Sequence, residues 1–273
     1  MVAFPNAKIN IGLNITGKRQ DGYHDLETVF YPVAVKDIVE IIVAHPSSPP
    51  IELTTSGNVI DSNSEDNLCI KAFHLIKKDF PDIPPLKMHL HKNIPMGAGL
   101  GGGSSDAAMV LMMMNKMFSL HIPDPQLLNY ALVLGSDCPF FILNRPALAK
   151  GRGELLTPIA VDLSAYKIMI IHPGTHIKTA SAFANLKDTF SERSVLENNI
   201  TKEVGYWKGN IHNDFESSVF TTHPEINEIK EKLYRAGAVY CSMSGSGSSV
   251  FGLFKKEHTI NIQIPSFWFC QTV

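Results

Sequence analysis

Pro95-Met96-Gly97-Ala98-Gly99-Leu100-Gly101-Gly102-Gly103-Ser104-Ser105-Asp106-Ala107-Ala108 places five glycines in seven positions and then runs directly into an apolar helical pattern. Backbone without Cβ atoms wraps an anion closely, and the unpaired N–H groups of a helix start direct partial positive charge at it. The stretch therefore reads as a phosphate cradle. Ser104 is the expected N-cap, and Asp106 is expected in the first turn, where the helix macrodipole favours an acid.

Several unrelated folds put glycine at a helix start, and elimination separates them. Gly97-x-Gly99-x-x-Gly102 satisfies a dinucleotide-binding string, but extra glycine crowds it and it sits far into the chain rather than in an opening βαβ unit. A Walker A loop closes on Gly-Lys-Ser/Thr, whereas Gly103 is followed by Ser104. No His-Arg-Asp or Asp-Phe-Gly tripeptide occurs downstream, so protein-kinase logic fails. A flexible linker fits poorly, because a helix begins at once.

The 273 residues, 44% of them hydrophobic, suffice for one large or two medium domains with real cores. With 24 basic against 26 acidic residues and a net charge of −2, no global field exists to hold nucleic acid or an acidic membrane. A local cradle still suffices for a small phosphorylated ligand. Cys69, Cys138, Cys241 and Cys270 form no Cys-x-x-Cys pair and read as free thiols in a reducing compartment. The eleven histidines show no ligand spacing, so no metal site built from protein side chains is expected. Neither a basic leader nor an apolar run of about 18 residues is present, which points to the cytoplasm.

Along the chain, Ala7, Ile9, Ile11, Leu13 and Ile15 alternate with Lys8, Asn10, Gly12 and Asn14, the period of a strand. That pattern projects Lys8 and Asn10 side by side from a polar face. A turn at 17–22 leads through Tyr23-His24 into a second extended segment. Further strands are expected at 38–44, 87–91, 167–172, 238–243 and 250–254, with a last one within 267–273. Helices are expected from Asp66 or Asn67 to Lys78, and over 104–118, 123–134, 179–186 and 224–236. The methionine cluster Met109, Met112, Met113, Met114 and Met117 reads as adaptable core. Residues 147–154 read as a turn closing the first half. The result is two unlike α+β lobes split near residues 150–160.

Two further motifs carry chemistry. Gly135-Ser136-Asp137-Cys138-Pro139-Phe140-Phe141 sets a lone acid at a Gly/Pro-bounded corner, and Ser244-Gly245-Ser246-Gly247-Ser248-Ser249 is a second glycine-serine loop between strands. Taken singly, Lys8 and Asp137 would be surface charges, Tyr23 an aromatic plug, His24 a surface histidine, and the second loop an ordinary hairpin turn.

Taken together, the strand 7–15, Asp21-Gly22-Tyr23-His24, the run 95–108, the Asp137 corner and the loop 244–249 resemble the GHMP small-molecule kinase superfamily. The motifs fall in order across both halves. The resemblance implies a two-lobed α+β fold: an N-terminal ATP-binding lobe, 1–155, with a ribosomal-S5-like mixed sheet, and a C-terminal ferredoxin-like α/β sandwich lobe, 156–273, that binds substrate. It implies transfer of the ATP γ-phosphoryl group to the 2-hydroxyl of a cytidine-diphosphate-linked methylerythritol on the non-mevalonate route to isoprenoids. In that reading Lys8, Asn10 and Asp137 face the transferred group. A tertiary alcohol is a poor nucleophile, and a positioned carboxylate accepting its proton contributes roughly 10²–10⁴-fold, which makes Asp137 the candidate base. Lys8 would keep that carboxylate ionised and offset γ-phosphoryl charge.

By the same resemblance, Pro95, Met96, Gly97, Ala98, Gly99, Leu100, Gly101, Gly102, Gly103, Ser104 and Ser105 line the ATP phosphates. Mg²⁺ arrives bridging those phosphates, with the Ser104 or Ser105 hydroxyl as the nearest protein contact. His24 would bond the cytosine edge, Tyr23 and Phe183 would sandwich the base, and Gly245 and Gly247 would approach the substrate diphosphate. For Phe183, core packing stands as the other reading. Partners are a small-molecule substrate and, at most, a weak homodimer. One departure is the tail: only Lys255–Val273 follow Phe254, shorter than the helix-plus-strand closure expected of the superfamily. Two other readings differ in class, a kinase of another alcohol such as mevalonate or homoserine, and a nucleotide-binding module without catalysis. A nucleobase clamp argues against the first, and the pair Lys8 and Asp137 against the second.

Overall fold

Apolar residues alternating along strands and recurring at three and four along helices sort the chain into two compact units. The structure, a computed structural model, describes residues 1–59, 66–184, 186 and 196–273. In chain order these hold β1 (Val2–Ala3), β2 (Asn6–Lys18), β3 (His24–Lys36), β4 (Ile38–Val43), β5 (Ile51–Gly57), α1 (Leu68–Asp79), β6 (Leu86–Lys92), α2 (Gly102–Met117), α3 (Asp124–Leu134), α4 (Cys138–Leu143), β7 (Ala147–Lys150), β8 (Leu155–Pro158) and β9 (Tyr166–His172). There follow α5 (Thr179–Ala184), α6 (Leu196–Ile200), α7 (Val204–Trp207), α8 (Phe215–Thr222), α9 (Pro224–Arg235), β10 (Tyr240–Met243), β11 (Val250–Lys255) and β12 (Phe269–Thr272). One unit comprises Met1–Ala7, Ala34–Met96 and Gly101–Asn144; the other comprises Lys8–Val33, Gly97–Leu100 and Arg145–Val273.

The first unit is built on the sheet β1-β4-β6-β5, mixed because β5 runs parallel to β6 while β1–β4 and β4–β6 are antiparallel. The inward residues Val39, Ile41, Leu86, Met88 and Leu90 share a core with Phe73 and Ile76 of α1 and with Val110, Leu111, Met113 and Met114 of α2. Each such side chain stabilises by about 1.5–3 kcal/mol on full burial. Met113 and Met114 thus fill core space, as their helical spacing suggested, and Met109 and Met117 pack against it. Asn67 caps α1 by accepting a bond from the Cys69 N–H at 2.9 Å. Strand β5 is legible only in three dimensions: Thr54, Thr55 and Ser56 carry no apolar alternation, and pairing with β6 makes them a strand.

The start of α2 departs from expectation. Gly101, left-handed at φ 71°, is the cap, and the helix begins at Gly102 with no side-chain capping bond. Ser104 is its third residue, and Asp106 is buried in an ion pair rather than set against the macrodipole. A left-handed glycine turns the chain into the helix two residues early, and the first-turn N–H groups keep no side-chain acceptor.

The second unit holds the sheets β2-β3-β7-β8 and β10-β11-β9-β12. The latter is antiparallel throughout, and β12 closes it by pairing with β9, Phe269 opposite His172. The short tail therefore supplies the last strand. Ile226, Ile229 and Leu233 of α9 and Phe215 and Val219 of α8 pack with Met169, Ile171, Met243 and Phe254, and with Leu13 and Ile15 of β2. The expected turn at 147–154 is a hairpin instead, β7 and β8 pairing from Ala147–Pro158 to Lys150–Leu155. Along β2 Lys8 and Asn10 are as buried as the apolar residues beside them, so that part of the polar face does not meet water, whereas Asn14 is half-buried. The helix expected over 179–186 runs Thr179–Ala184, and residue 185 lies outside the described residues. Helices α6, α7 and α8 were not anticipated, being too short for their periodicity to show. No helix among the described residues is long and apolar enough to cross a membrane.

Candidate active site

In the second unit the polar residues of β2 meet both glycine loops. Lys8, 4% exposed, donates from Nζ to Asn10 Oδ1 at 2.7 Å and to the Gly99 carbonyl at 3.2 Å, and the ammonium stands 4.8 Å from the Phe30 ring centroid. Asn10 Nδ2 donates to Thr28 Oγ1 at 3.0 Å, and Thr28 in turn donates to the Gly12 carbonyl. That order fixes the Asn10 amide, because Thr28 has spent its one proton and must accept. The Asn10 N–H donates to Ser244 Oγ at 3.2 Å, and Ser244 Oγ donates to the Gly99 carbonyl at 2.9 Å. Two ends of the chain and its middle therefore share one hydrogen-bond lattice.

Close approach explains why the loop must be glycine. A Cβ on Gly99, φ +77°, would lie 2.0 Å from the Ser244 carbonyl oxygen, and one on Gly97, φ +61°, would lie 2.3 Å from His176 Nδ1. Ser249 N–H also donates to the Ala98 carbonyl at 3.2 Å. Gly245 and Gly247 belong to the same layer: Gly245 stands against Gly99, and Asn213 Nδ2 holds the loop by donating to the carbonyls of Met243 and Gly245, each at 2.8 Å. Beside it, Ser248 Oγ donates to the Thr175 carbonyl at 2.5 Å, so the His172 Nδ1 proton, 3.0 Å away, points at Ser248. Burial, and then His176, pushes the His172 pKa down to about 4, so this ring is neutral at pH 7.

In the first unit, the residues bounding the other part of the loop rest on a buried ionic cluster. Lys92 Nζ donates to Asp37 Oδ2 and, at 2.7 Å, to Asp106 Oδ2, all three side chains being buried. Asp37 Oδ1 also accepts the N–H groups of Asn93 and Ile94 at 2.6 and 2.8 Å, which anchors the backbone entering Pro95-Met96. Two carboxylates thus share one ammonium. Asp37 has two backbone donors besides, whereas Asp106 Oδ1 has none; burial and the Asp37 charge push Asp106 up to about 7. Burial alone would lower Lys92, but Asp106 and Asp37 outweigh it and hold the lysine above its ordinary value. Gly102 carries no side chain because a Cβ there would meet Ile94 at 2.9 Å and Lys92 Nζ at 3.1 Å. Ser105 is buried, Ser104 and Gly103 are half-buried, and Asp137 is the half-buried N-cap residue of α4.

The aromatic residues also lie in the second unit. His24 stacks on Phe183, ring centroids 4.7 Å apart and planes 15° apart, and Phe183 meets Phe215 edge-on at 4.9 Å. Tyr23 is 57% exposed, with the Arg152 guanidinium 5.1 Å from its ring centroid. Phe183 therefore pairs with His24, while Tyr23 presents an open face under a cation.

Sequence reading named Ser244 only as the start of the second glycine-serine loop and missed Thr28, Asn213, His176 and the Lys92 cluster. Only Lys92 left a signal: it continues the inward alternation Leu86, Met88, Leu90, and a lysine at an inward register demands a buried counter-charge.

The family models described as GHMP kinases N terminal domain and GHMP kinases C terminal match residues 67–145 and 201–263. A 4-diphosphocytidyl-2-C-methyl-D-erythritol kinase of Bacteroides thetaiotaomicron is 52% identical over 95% of this chain and 94% of its own. One of Azobacteroides pseudotrichonymphae is 46% identical over 98% of this chain and 100% of its own. A crystal structure of a 4-(cytidine 5'-diphospho)-2C-methyl-D-erythritol kinase superposes with TM-score 0.79 at 31% identity, covering 93% of this chain and 90% of the other. The chain is a kinase that belongs to the GHMP kinases and, within them, to the 4-diphosphocytidyl-2-C-methyl-D-erythritol kinase family.

Proposed function

We propose that the protein phosphorylates the 2-hydroxyl of 4-diphosphocytidyl-2-C-methyl-D-erythritol with ATP, as the names of its relatives suggest, with Asp137 as general base and Lys8 stabilising charge. The observation that carries the proposal is the lattice of Lys8, Asn10, Ser244 and Gly99, which presents a buried ammonium at a loop whose backbone is kept bare by close approach. Such a cradle fits phosphate oxygens, which bind to backbone N–H groups and to fixed positive charge. Pro95–Ser105 would hold the ATP triphosphate; Asn10, Tyr23, His24, Phe183, Gly245 and Gly247 would hold the cytidyl substrate. Magnesium would come with the phosphates and supply Lewis-acid neutralisation, with Ser104, the less buried of the two serines, as the protein hydroxyl nearest to hand.

In this reading Asp137 takes the 2-hydroxyl proton as the new O–P bond forms, and ADP departs with the electrons of the broken bond. Lys8 offsets charge on the transferred group, and Asn10 orients the Lys8 ammonium. The open face of Tyr23 and the His24–Phe183 stack offer π surface to a nucleobase. We place the functional domains at 1–155 and 156–273, the protein in the cytoplasm, and its state as a monomer or weak homodimer.

ADP release measured with the cytidyl substrate, mevalonate and homoserine tests the substrate assignment; turnover of another alcohol and none of the cytidyl compound would overturn it. Asp137→Asn is expected to bind ATP normally and lose about 10²–10⁴-fold in kcat. Near-normal kcat would remove Asp137 as the base.

A further inference from the structure

The mechanism above gives no part to His176, yet the fold holds this ring directly on the glycine loop. Its Nδ1 and Cε1 would stand 2.3 and 2.5 Å from a Cβ on Gly97, so the imidazole edge lies against the loop backbone at the place where a side chain would otherwise be. The ring is solvent-exposed, and neither nitrogen has a hydrogen-bond partner among the described residues. Its position is set by its neighbours. Thr175 accepts from Ser248 Oγ through its carbonyl and donates from Oγ1 to Glu225 at 3.2 Å; Ile177 is buried; Thr179 Oγ1 and Ser246 Oγ lie 3.1 Å apart. Segment 175–179 is thereby stitched to the loop 244–249, and His176 is carried onto the loop 97–100 without using its own donors.

A packing role alone gives no reason for an exposed imidazole with unspent polar atoms over a loop shaped for phosphate. We propose that His176 is a phosphate-contacting residue, its ring N–H donating a hydrogen bond to the adenine nucleotide's phosphates held by Gly97–Leu100. This rests on the kinase reading above and adds a residue that the motifs did not supply. The titratable and charged groups around the ring are His172 of β9, Glu225 of α9 with His223 3.5 Å from it, Lys178 on the same segment, and Lys8 of β2, which donates to Gly99 two residues along the loop.

Calorimetric binding of ADP and of a non-hydrolysable ATP analogue to the full chain tests this, with thermal unfolding of each variant as the folding control. His176→Ala is expected to raise the nucleotide Kd roughly tenfold. His176→Lys, which keeps a donor at this position, is expected to restore most of the affinity. The KM for the cytidyl substrate is expected to stay unchanged in both. A parent-like Kd in His176→Ala, or an effect confined to the KM of the cytidyl substrate, would overturn the assignment. A parent that binds no adenine nucleotide would overturn the kinase reading as well, so the two failures are distinguishable.

Discussion

Lys8 Nζ and Asn10 Oδ1 are 2.7 Å apart on one face of β2, and both side chains are buried. A strand position that would ordinarily meet water has become the place where an ammonium is held in low dielectric. An ammonium there is tolerated only while its protons are bonded, and Asn10 supplies one of those bonds while keeping Thr28 and Ser244 in register.

Asn10→Leu is therefore expected to remove acceptor and donor together. The loss should be about 1–3 kcal/mol of stability, with more than tenfold lower kcat. Denaturant unfolding and steady-state kinetics check the two halves, and an unchanged kcat would mean that Lys8 orientation is indifferent to Asn10.

Two glycines of the loop should separate folding from binding. Gly99→Ala forces a Cβ to within 2.0 Å of a carbonyl oxygen at positive φ and is expected to cost about 2–4 kcal/mol. Gly103 lies in helical backbone with its nearest neighbour 4.0 Å away, so Gly103→Ala should leave Tm equal or slightly higher. If the loop backbone holds phosphate, Gly103→Ala should nevertheless weaken nucleotide binding. Thermal melts and nucleotide titrations on the same preparations decide between these outcomes.

The buried cluster predicts a pH slope of definite sign. Asp106 has its folded pKa raised to about 7, so between about pH 4 and 7 the native state holds a proton that the unfolded state has released. Its contribution to stability is present at low pH and falls as pH rises through that window. Asp106→Asn should remove this slope and match or exceed the parent near pH 8. Lys92→Met should cost about 3–5 kcal/mol, because it strands two carboxylates. His172 acts in the opposite sense: its depressed pKa makes stability fall as pH drops from 6.5 towards 4, and His172→Gln should flatten that limb. Denaturant midpoints against pH for parent and variants test both signs.

Thiol chemistry in the native protein should be confined to Cys270. Cys69, Cys138 and Cys241 are buried, and burial pushes each thiol up, Cys138 to about 12; Cys270 is exposed, and its partial burial also raises it. A chromogenic disulfide reagent is expected to titrate Cys270 rapidly in native protein and all four cysteines in denaturant, with activity retained after native modification. Rapid native reaction of a second thiol would contradict the packing.

Local periodicity carried much of the architecture. The alternation 7–15 located β2, Asn67 located the start of α1, Gly135 the end of α3, and the spacing of Ile226, Ile229 and Leu233 the buried face of α9. These signals survive because each depends on residues within a few positions of one another. Asp106 shows where that reasoning ends. As the third residue after a glycine it looked like a helix-dipole acid, and only the approach of Lys92 and Asp37 makes it a buried partner in a three-charge cluster.

The sequence by itself determined that a glycine-rich stretch runs into a helix start, that the motifs holding Lys8, Asp137, Tyr23 and His24 resemble those of a small-molecule kinase, and that the fold is α+β. The tertiary structure alone decided which glycines are obligatory, which carboxylate is pushed towards its neutral form, that Ser244 and Asn213 brace the second loop, and that His176 lies on Gly97. Those facts depend on residues from 14 to 234 positions apart becoming neighbours, and no local period encodes a contact of that span. Burial then decides the electrostatics, since the same lysine or aspartate is a solvated charge on the surface and a directed, strongly coupled group once water is removed.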